Sequence, residues 1–252
     1  RALIVVEGDG EHLLLPAIAE KLGRPLSRYG VSLVNVGHRG LFRYSRILQR
    51  RTGNAIPVPV ALIPDRDIPP AEAKDLVGGR KTENELTQDE IAARLKTLRR
   101  DVGDPVDAFI ADSWTLEFDL ALRPELAESI HQAVQLAKTS SGKPERLAKI
   151  GKQASETYAG WKAAGCSATE IAVKIYQPVH DKEASKAEVA EQLAAILRQR
   201  TDTPEQMRER LPPYLVRAID YVTGGYVPGA PVIAAEPEVG DIKVAAMDGA
   251  AA

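Results

Sequence analysis

Two pairs of acidic residues stand at the ends of apolar runs: Glu7 with Glu11, and Asp65 with Asp67. Leu3-Ile4-Val5-Val6 and Val60-Ala61-Leu62-Ile63 are short, wholly apolar and bounded by glycine or proline, the pattern of strands buried in a parallel sheet. Such sheets gather ligands at the carboxyl ends of their strands. Side chains along a strand repeat every two residues, so Asp65 and Asp67 are expected to point the same way, with Arg66 opposite. A helix starting at Asp9-Gly10 would set Glu11 on its first turn beside Glu7. Four converging carboxylates repel one another and call for a cation, and oxygen ligands without His or Cys favour Mg²⁺ or Mn²⁺.

Each acid also has a plainer explanation. Glu11 could simply complement the positive end of a helix, and the aspartates could serve a cap or turn before Pro69-Pro70. Glu7 is harder to dismiss, because it follows a strand core directly and precedes Gly8, where a bound group could approach the backbone. A fifth acid, Glu117, lies in Asp112-Ser113-Trp114-Thr115-Leu116-Glu117 after another strand, and its spacing from Ser113 and Thr115 is not that of a capping box. Lys186 is an anomaly of the opposite sign. A cation in the first turn of a helix opposes the macrodipole; exposure would make that harmless, and a role facing a developing anion would explain it.

The elements that must position these residues alternate. Helical spacing runs from Glu11 to Leu22, with Pro16 in the first turns. A strand follows over Val31–Val36, and then a helix with Leu41, Tyr44 and Leu48 on its core stripe and Arg39, Arg43, Arg46 and Arg50 on the other face. That basic row could touch phosphates or simply be a solvated face. After the third strand, a Pro/Gly-rich loop leads to a helix expected over 83–100, and Val106–Ile110 reads as a fourth strand. The succession predicts an α/β fold with a mainly parallel sheet flanked by helices. Residues 1–119 form the expected catalytic core, and 120–178 an inserted helical subdomain without strands. Residues 179–226 return to the core with the Lys186 helix, opened by a capping box at Ser185…Glu188, and 227–252 form a tail without periodicity.

Composition narrows the class. The chain has 252 residues, is 44% hydrophobic and has a net charge of −2, with a pI near 6.2. It is therefore globular and does not carry the overall basicity of many nucleic-acid binders. One cysteine, Cys166, excludes a disulfide framework and suits a reducing, cytoplasmic setting. No stretch approaches the roughly 20 apolar residues of a membrane span. Arg1 leads straight into a strand, so the expectation is a piece of a longer protein. His12, His38, His131 and His180 lack ligand spacing and read as surface or capping residues. Cys166, Trp114 and Trp161 read as packing.

With these residues in view, the pattern Leu3–Gly8 with Glu11 and then Asp65-x-Asp67 resembles a Toprim domain, the metal-binding module of topoisomerases, primases and several nucleases. Glu7–Pro16, Val34-Asn35-Val36-Gly37, Thr115-Leu116-Glu117 and Ser185-Lys186 resemble the OLD (overcoming lysogenization defect) family in particular, over most of residues 1–225. The resemblance implies two-metal DNA cleavage. Glu7, Glu11, Asp65 and Asp67 would hold Mg²⁺ or Mn²⁺, Glu117 would complete the second site with Ser113 as helper, and Lys186 would stabilise charge at the scissile phosphate. It also implies an ATPase domain in cis, ahead of this segment, which itself carries no phosphate loop; oligomerisation through the longer protein is left open. Topoisomerases use a tyrosine nucleophile, and no tyrosine lies close to the acids in sequence, so direct hydrolysis is expected. Two alternatives stand beside the nuclease: an aspartyl-phosphate phosphotransferase and a non-catalytic assembly module for an ATPase partner.

Overall fold

The computed structural model describes residues 1–37, 40–49, 58–100, 102–103, 105–139 and 143–224, without the side chains of Tyr44 and Ser45. Four strands, β1 (Ala2–Val6), β2 (Val31–Asn35), β3 (Val60–Ile63) and β4 (Val106–Ala108), form one parallel sheet in the order β2-β1-β3-β4. Val5 pairs with Val34 on one side and Leu62 on the other. All four carboxyl ends therefore point one way, and the loops leaving them meet at one rim. The fold is α/β.

Helices make the crossovers. α1 (Asp9–Lys21) and α2 (Leu26–Tyr29) join β1 to β2, α3 (Leu41–Leu48) joins β2 to β3, and α4 (Lys74–Val77) and α5 (Gln88–Leu98) lie between β3 and β4. Alternation along the strands builds two apolar layers. Ala2, Ile4, Val6, Ala61 and Ile63 enter the larger core, whereas Val5, Val60, Leu62, Val106 and Ala108 pack with Leu41 on the opposite face.

Beyond β4 come α6 (Leu116–Ala121), α7 (Pro124–Ala137), α8 (Pro144–Ala163), α9 (Ala168–His180), α10 (Lys186–Gln199), α11 (Pro204–Arg210) and α12 (Pro213–Thr223). α10 packs against both α1 and α7, and α12 lies on β3 and β1. The larger core runs without a break from Ile4 and Ile18 through Trp114, Leu126 and Ile175 to Leu193 and Ile219. The helical segment thus shares its interior with the sheet.

Several local expectations need correction. α1 begins at Asp9, so Pro16 lies in its interior rather than its first turns; its missing N–H takes the usual donor from the His12 carbonyl. The helix expected over 83–100 is split. Thr82 and Thr87 each head a reciprocal capping box, with Glu85 and Glu90, giving a 3-10 turn at Glu83–Glu85 and then α5. The loop before it holds a 3-10 turn at Ala71–Ala73 and α4. The fourth strand ends at Ala108, although the Phe109 and Ala111 N–H groups still donate to the Leu62 and Pro64 carbonyls at 2.8 and 3.1 Å. Ser185 caps α10 by accepting from the Glu188 N–H at 3.1 Å. The reciprocal half is missing, because the Glu188 carboxylate instead accepts from the Ser185 hydroxyl at 2.9 Å. Arg39, Arg50, His38 and the tail from 227 lie outside the described residues.

Candidate functional site

The rim at the carboxyl ends of β1, β3 and β4 collects the acids. Glu7 follows β1 directly and Glu11 sits in the first turn of α1, where it is 5% exposed. Asp65 comes two residues after β3, and one of its oxygens accepts from the Leu116 N–H at 3.2 Å. Glu117, in the first turn of α6, is 6% exposed. Lys186, the first residue of α10, reaches across to place Nζ 3.0 Å from Glu117 Oε2 and 3.7 Å from Asp65 Oδ2.

Burial and mutual repulsion shape the electrostatics. Burial raises the Glu11 carboxyl, and Glu117 and Glu7 push it further. Asp65 is raised well above the usual carboxylate range by burial first, with Glu117, Glu11 and Glu7 adding to the effect of burial and Lys186 opposing it. Burial lowers the Lys186 ammonium, but Glu117 and Asp65 outweigh it and hold it above its ordinary range. The Lys186 side chain as a whole is 40% exposed, and its ammonium lies against the carboxylates.

Two glycines make the convergence possible. A Cβ on Gly10 would stand 3.1 Å from Glu117 Oε1 and 3.4 Å from Lys186 Cβ, and one on Gly8 would stand 3.3 Å from Glu11 Oε2. Gly8 thus makes room for the protein's own carboxylate. Gly10 lets the start of α1 press against α6 and α10, and its place in the sequence before Glu11 was the only hint of it.

Asp67 is held by Arg94 and Arg80. β3 has ended by then, and Asp67 takes the left-handed conformation at φ 60°, so the every-second-residue argument for Asp65 and Asp67 sharing a face does not apply. Its carboxylate accepts from Arg94 at 3.1 Å, its carbonyl accepts from Arg80 at 3.0 Å, and its N–H donates to the Trp114 carbonyl at 3.1 Å. Ser113 is anchored through its N–H, which donates to both Asp119 oxygens at 3.2 and 3.1 Å. Arg43 and Arg46 are exposed on α3.

Sequence reasoning missed three residues around the site. Asp119 is 3% exposed, and burial raises it to about 6 although the Trp114 and Ser113 N–H groups stabilise its charge; it fixes the turn that carries Glu117. Tyr176 is raised to about 12 by burial, with Glu117 and Asp65 among the carboxylates that reinforce this, and it packs edge-on to Trp114 at 4.8 Å. The fully buried Tyr214 hydroxyl is pushed up by burial and by Asp119, Asp65 and Glu11. Both tyrosines are remote in sequence from the acids that they approach. His131 is not a surface residue: it is 3% exposed, packs at a tilt against Trp161 at 4.7 Å, and burial lowers it to about 4.

Among the described residues, no three His, Cys, Asp or Glu side chains already stand as one ligating group. The donor chemistry nevertheless suits a hard cation. Both Glu117 oxygens are buried without a hydrogen-bond donor, and the Lys186 contact at 3.0 Å is a charge contact rather than an aligned hydrogen bond. A buried carboxylate with bare lone pairs is costly unless a cation completes it.

The sequence matches the family described as Overcoming lysogenization defect protein-like, TOPRIM domain, over residues 1–67. The OLD likeness in fold extends further. The C-terminal region of the Burkholderia pseudomallei OLD protein is similar at 20% identity and a TM-score of 0.53, covering 88% of this chain and 97% of that one. The C-terminal region of the Xanthomonas campestris pv. campestris OLD protein is similar in two structures, at 21% and 23% identity, each with a TM-score of 0.50, covering 89% and 88% of this chain and 92% and 94% of the other. No curated protein matches. A TOPRIM domain is consistent with a metal-binding, nucleic-acid-acting role. Among the described residues no helix is long and apolar enough to cross a membrane.

Proposed function

We propose that this chain is the nuclease region of a longer protein, hydrolysing DNA phosphodiester bonds with two bound divalent cations, Mg²⁺ or Mn²⁺. The observation that carries this reading is Glu117, buried and without a hydrogen-bond donor, facing Lys186 beside Asp65 and Glu11. Glu7, Glu11, Asp65 and Glu117 would hold the cations, with Ser113 as helper. Asp67 would join them only by giving up Arg94. Held there, two such cations would supply activation of an attacking water and neutralisation of the leaving oxygen.

The protein's own groups do the remaining work. Lys186, kept protonated by Glu117 and Asp65, presents a fixed point charge to an incoming phosphate, and its part-exposed side chain leaves that approach open. Asp119 holds the turn before α6 so that Glu117 stays aimed inward. Tyr176 and Tyr214 lie within the field of these carboxylates, and burial holds both hydroxyls above the ordinary tyrosine range. An ATPase domain in cis and assembly of several copies belong to the longer protein.

Nicking of supercoiled plasmid in Mn²⁺ tests the proposal. The wild type should convert plasmid to open circles, and Glu117→Gln and Lys186→Ala should not. Equal conversion by all three preparations would overturn the assignment, and an inactive wild type that still binds Mn²⁺ would favour the non-catalytic module.

A further inference from the structure

The sheet edge at β4 is partly occupied by its own chain. Val106 exchanges both backbone hydrogen bonds with Gly103, at 2.9 and 2.8 Å, and the Ala108 N–H donates to the carboxylate of Asp107 at 2.7 Å. Phe109 and Ala111 turn their N–H groups inward to Leu62 and Pro64. An edge with these outward groups engaged offers another strand only a short ladder. Side chains must decide what it can take.

Beside this edge lies a groove of 440 Å³ bordered by Leu95, Arg66, Arg99, Arg217 and the segment 107–112. The three arginines arrive from three directions. Arg99 follows α5 on one face of the sheet, Arg217 projects from α12 on the other, and Arg66 stands next to Asp65 at the rim. Arg66 is fixed by the Asp112 carbonyl at 3.2 Å and the Glu83 carboxylate at 2.8 Å. Arg99 and Arg217 are exposed, and neither closes an ion pair among the described residues. Asp112 lies within the field of Arg217, Arg123 and Arg66 without pairing to any of them. Asp107, the other acid of the groove, is engaged by the Ala108 N–H.

We propose that this groove is a track for the phosphate backbone of the nucleic-acid strand that leads to the carboxylate rim, with Arg99 and Arg217 gripping phosphates on either side of the β4 edge and Arg66 at the rim end. It rests on the nuclease reading and deepens it. Guanidinium groups present paired donors that match phosphate oxygens, and an acidic peptide adding as a strand would meet Val106 and the Ala108 N–H already engaged.

The test measures binding apart from chemistry. Labelled DNA is titrated by anisotropy in EDTA against wild type, Arg99→Ala, Arg217→Ala, the double variant, and a charge-matched control, Arg146→Ala with Lys149→Ala on the exposed face of α8. Each groove substitution should raise Kd about three- to tenfold and lower the salt slope by about one, and the control should change neither. Mn²⁺-dependent hydrolysis of bis(para-nitrophenyl) phosphate should be unchanged in the groove variants, since that small diester never reaches the track. Wild-type Kd and salt slope in the double variant would overturn the groove while leaving the nuclease reading intact. Displacement of the strand by submillimolar inorganic phosphate, with no effect of chloride at equal ionic strength, would make it a small-anion pocket and also overturn the track. A wild type that neither binds nor nicks DNA would overturn the nuclease reading and the track together.

Discussion

Acids at the two ends of this molecule are treated in opposite ways. At the far end from the rim, Asp202 is 7% exposed at its side chain and is clasped between the guanidinium groups of Arg200 and Arg210. Asp220 is held by Arg208, with a contact at 3.0 Å, and by Arg24 at 3.3 Å. Arg24 is itself 3% exposed and also donates to Thr223 at 2.9 Å. At the rim, Glu11, Asp65 and Glu117 lie in the field of one ammonium, and Glu117 keeps two buried oxygens without donors. Saturated acids hold elements together; undersaturated acids retain a demand for positive charge. The contrast sets the proposed chemical site apart from the structural network.

The largest effect should come from the rim. Glu117→Gln should reduce Mn²⁺-dependent nicking about a thousandfold, roughly 4 kcal/mol of barrier, without lowering the melting temperature, because relieved repulsion with Glu11 and Asp65 offsets the lost contact with Lys186. A thermal-shift assay beside the plasmid assay checks both halves. A large stability loss would place Glu117 with the structural acids.

Asp220→Ala should do the reverse. Leaving Arg24 buried without its partner should destabilise the fold by about 3 kcal/mol, while nicking per folded molecule stays at the wild-type level. Denaturant unfolding followed by activity normalised to folded fraction decides it.

Acid should act through His131, which belongs to neither group. Its folded pKa of about 4 lies below the ordinary value of 6.5, so the unfolded chain binds the proton first. Stability from this residue is therefore complete above about 6.5 and falls as the pH drops toward 4, by roughly 2 kcal/mol. Asp119 works against this, since its pKa is raised to about 6 and its share of stability is greatest below the ordinary aspartate value. His131→Phe should flatten the acid-side decline in urea unfolding curves. An unchanged pH profile would show that the histidine is not buried as described.

Gly10→Ala should give the smallest effect, about a tenfold loss of nicking, because the added methyl meets Glu117 Oε1 at 3.1 Å and that carboxylate must give way. Full activity would mean that the rim tolerates displacement and does not depend on close approach.

Much of this arrangement was legible in the chain. The apolar runs at 3–6 and 60–63 gave strands, and the carboxyl ends of a parallel sheet gave the rim. Lys186 stood out because its charge opposes its helix. What escaped was tertiary in origin. Asp67 sits two residues past Asp65, but the strand has already ended and a left-handed turn gives its carboxylate to Arg94. Tyr176 and Tyr214 reach the acids from α9 and α12, a neighbourhood that no local pattern encodes. Asp202 and Asp220 look like any surface aspartate until their arginines are seen around them. The split of the segment 83–98, by contrast, was encoded, since Thr82…Glu85 and Thr87…Glu90 both fit the capping-box spacing.

The most direct test of the contrast between undersaturated and saturated acids is a crystal soaked in MnCl₂ and measured for anomalous scattering. The account predicts manganese peaks bonded to oxygens of Glu117 and Asp65, with Glu7 or Glu11 in contact, and none at Asp202 or Asp220. Peaks at the arginine-held acids, or a rim left bare at millimolar Mn²⁺, would contradict it.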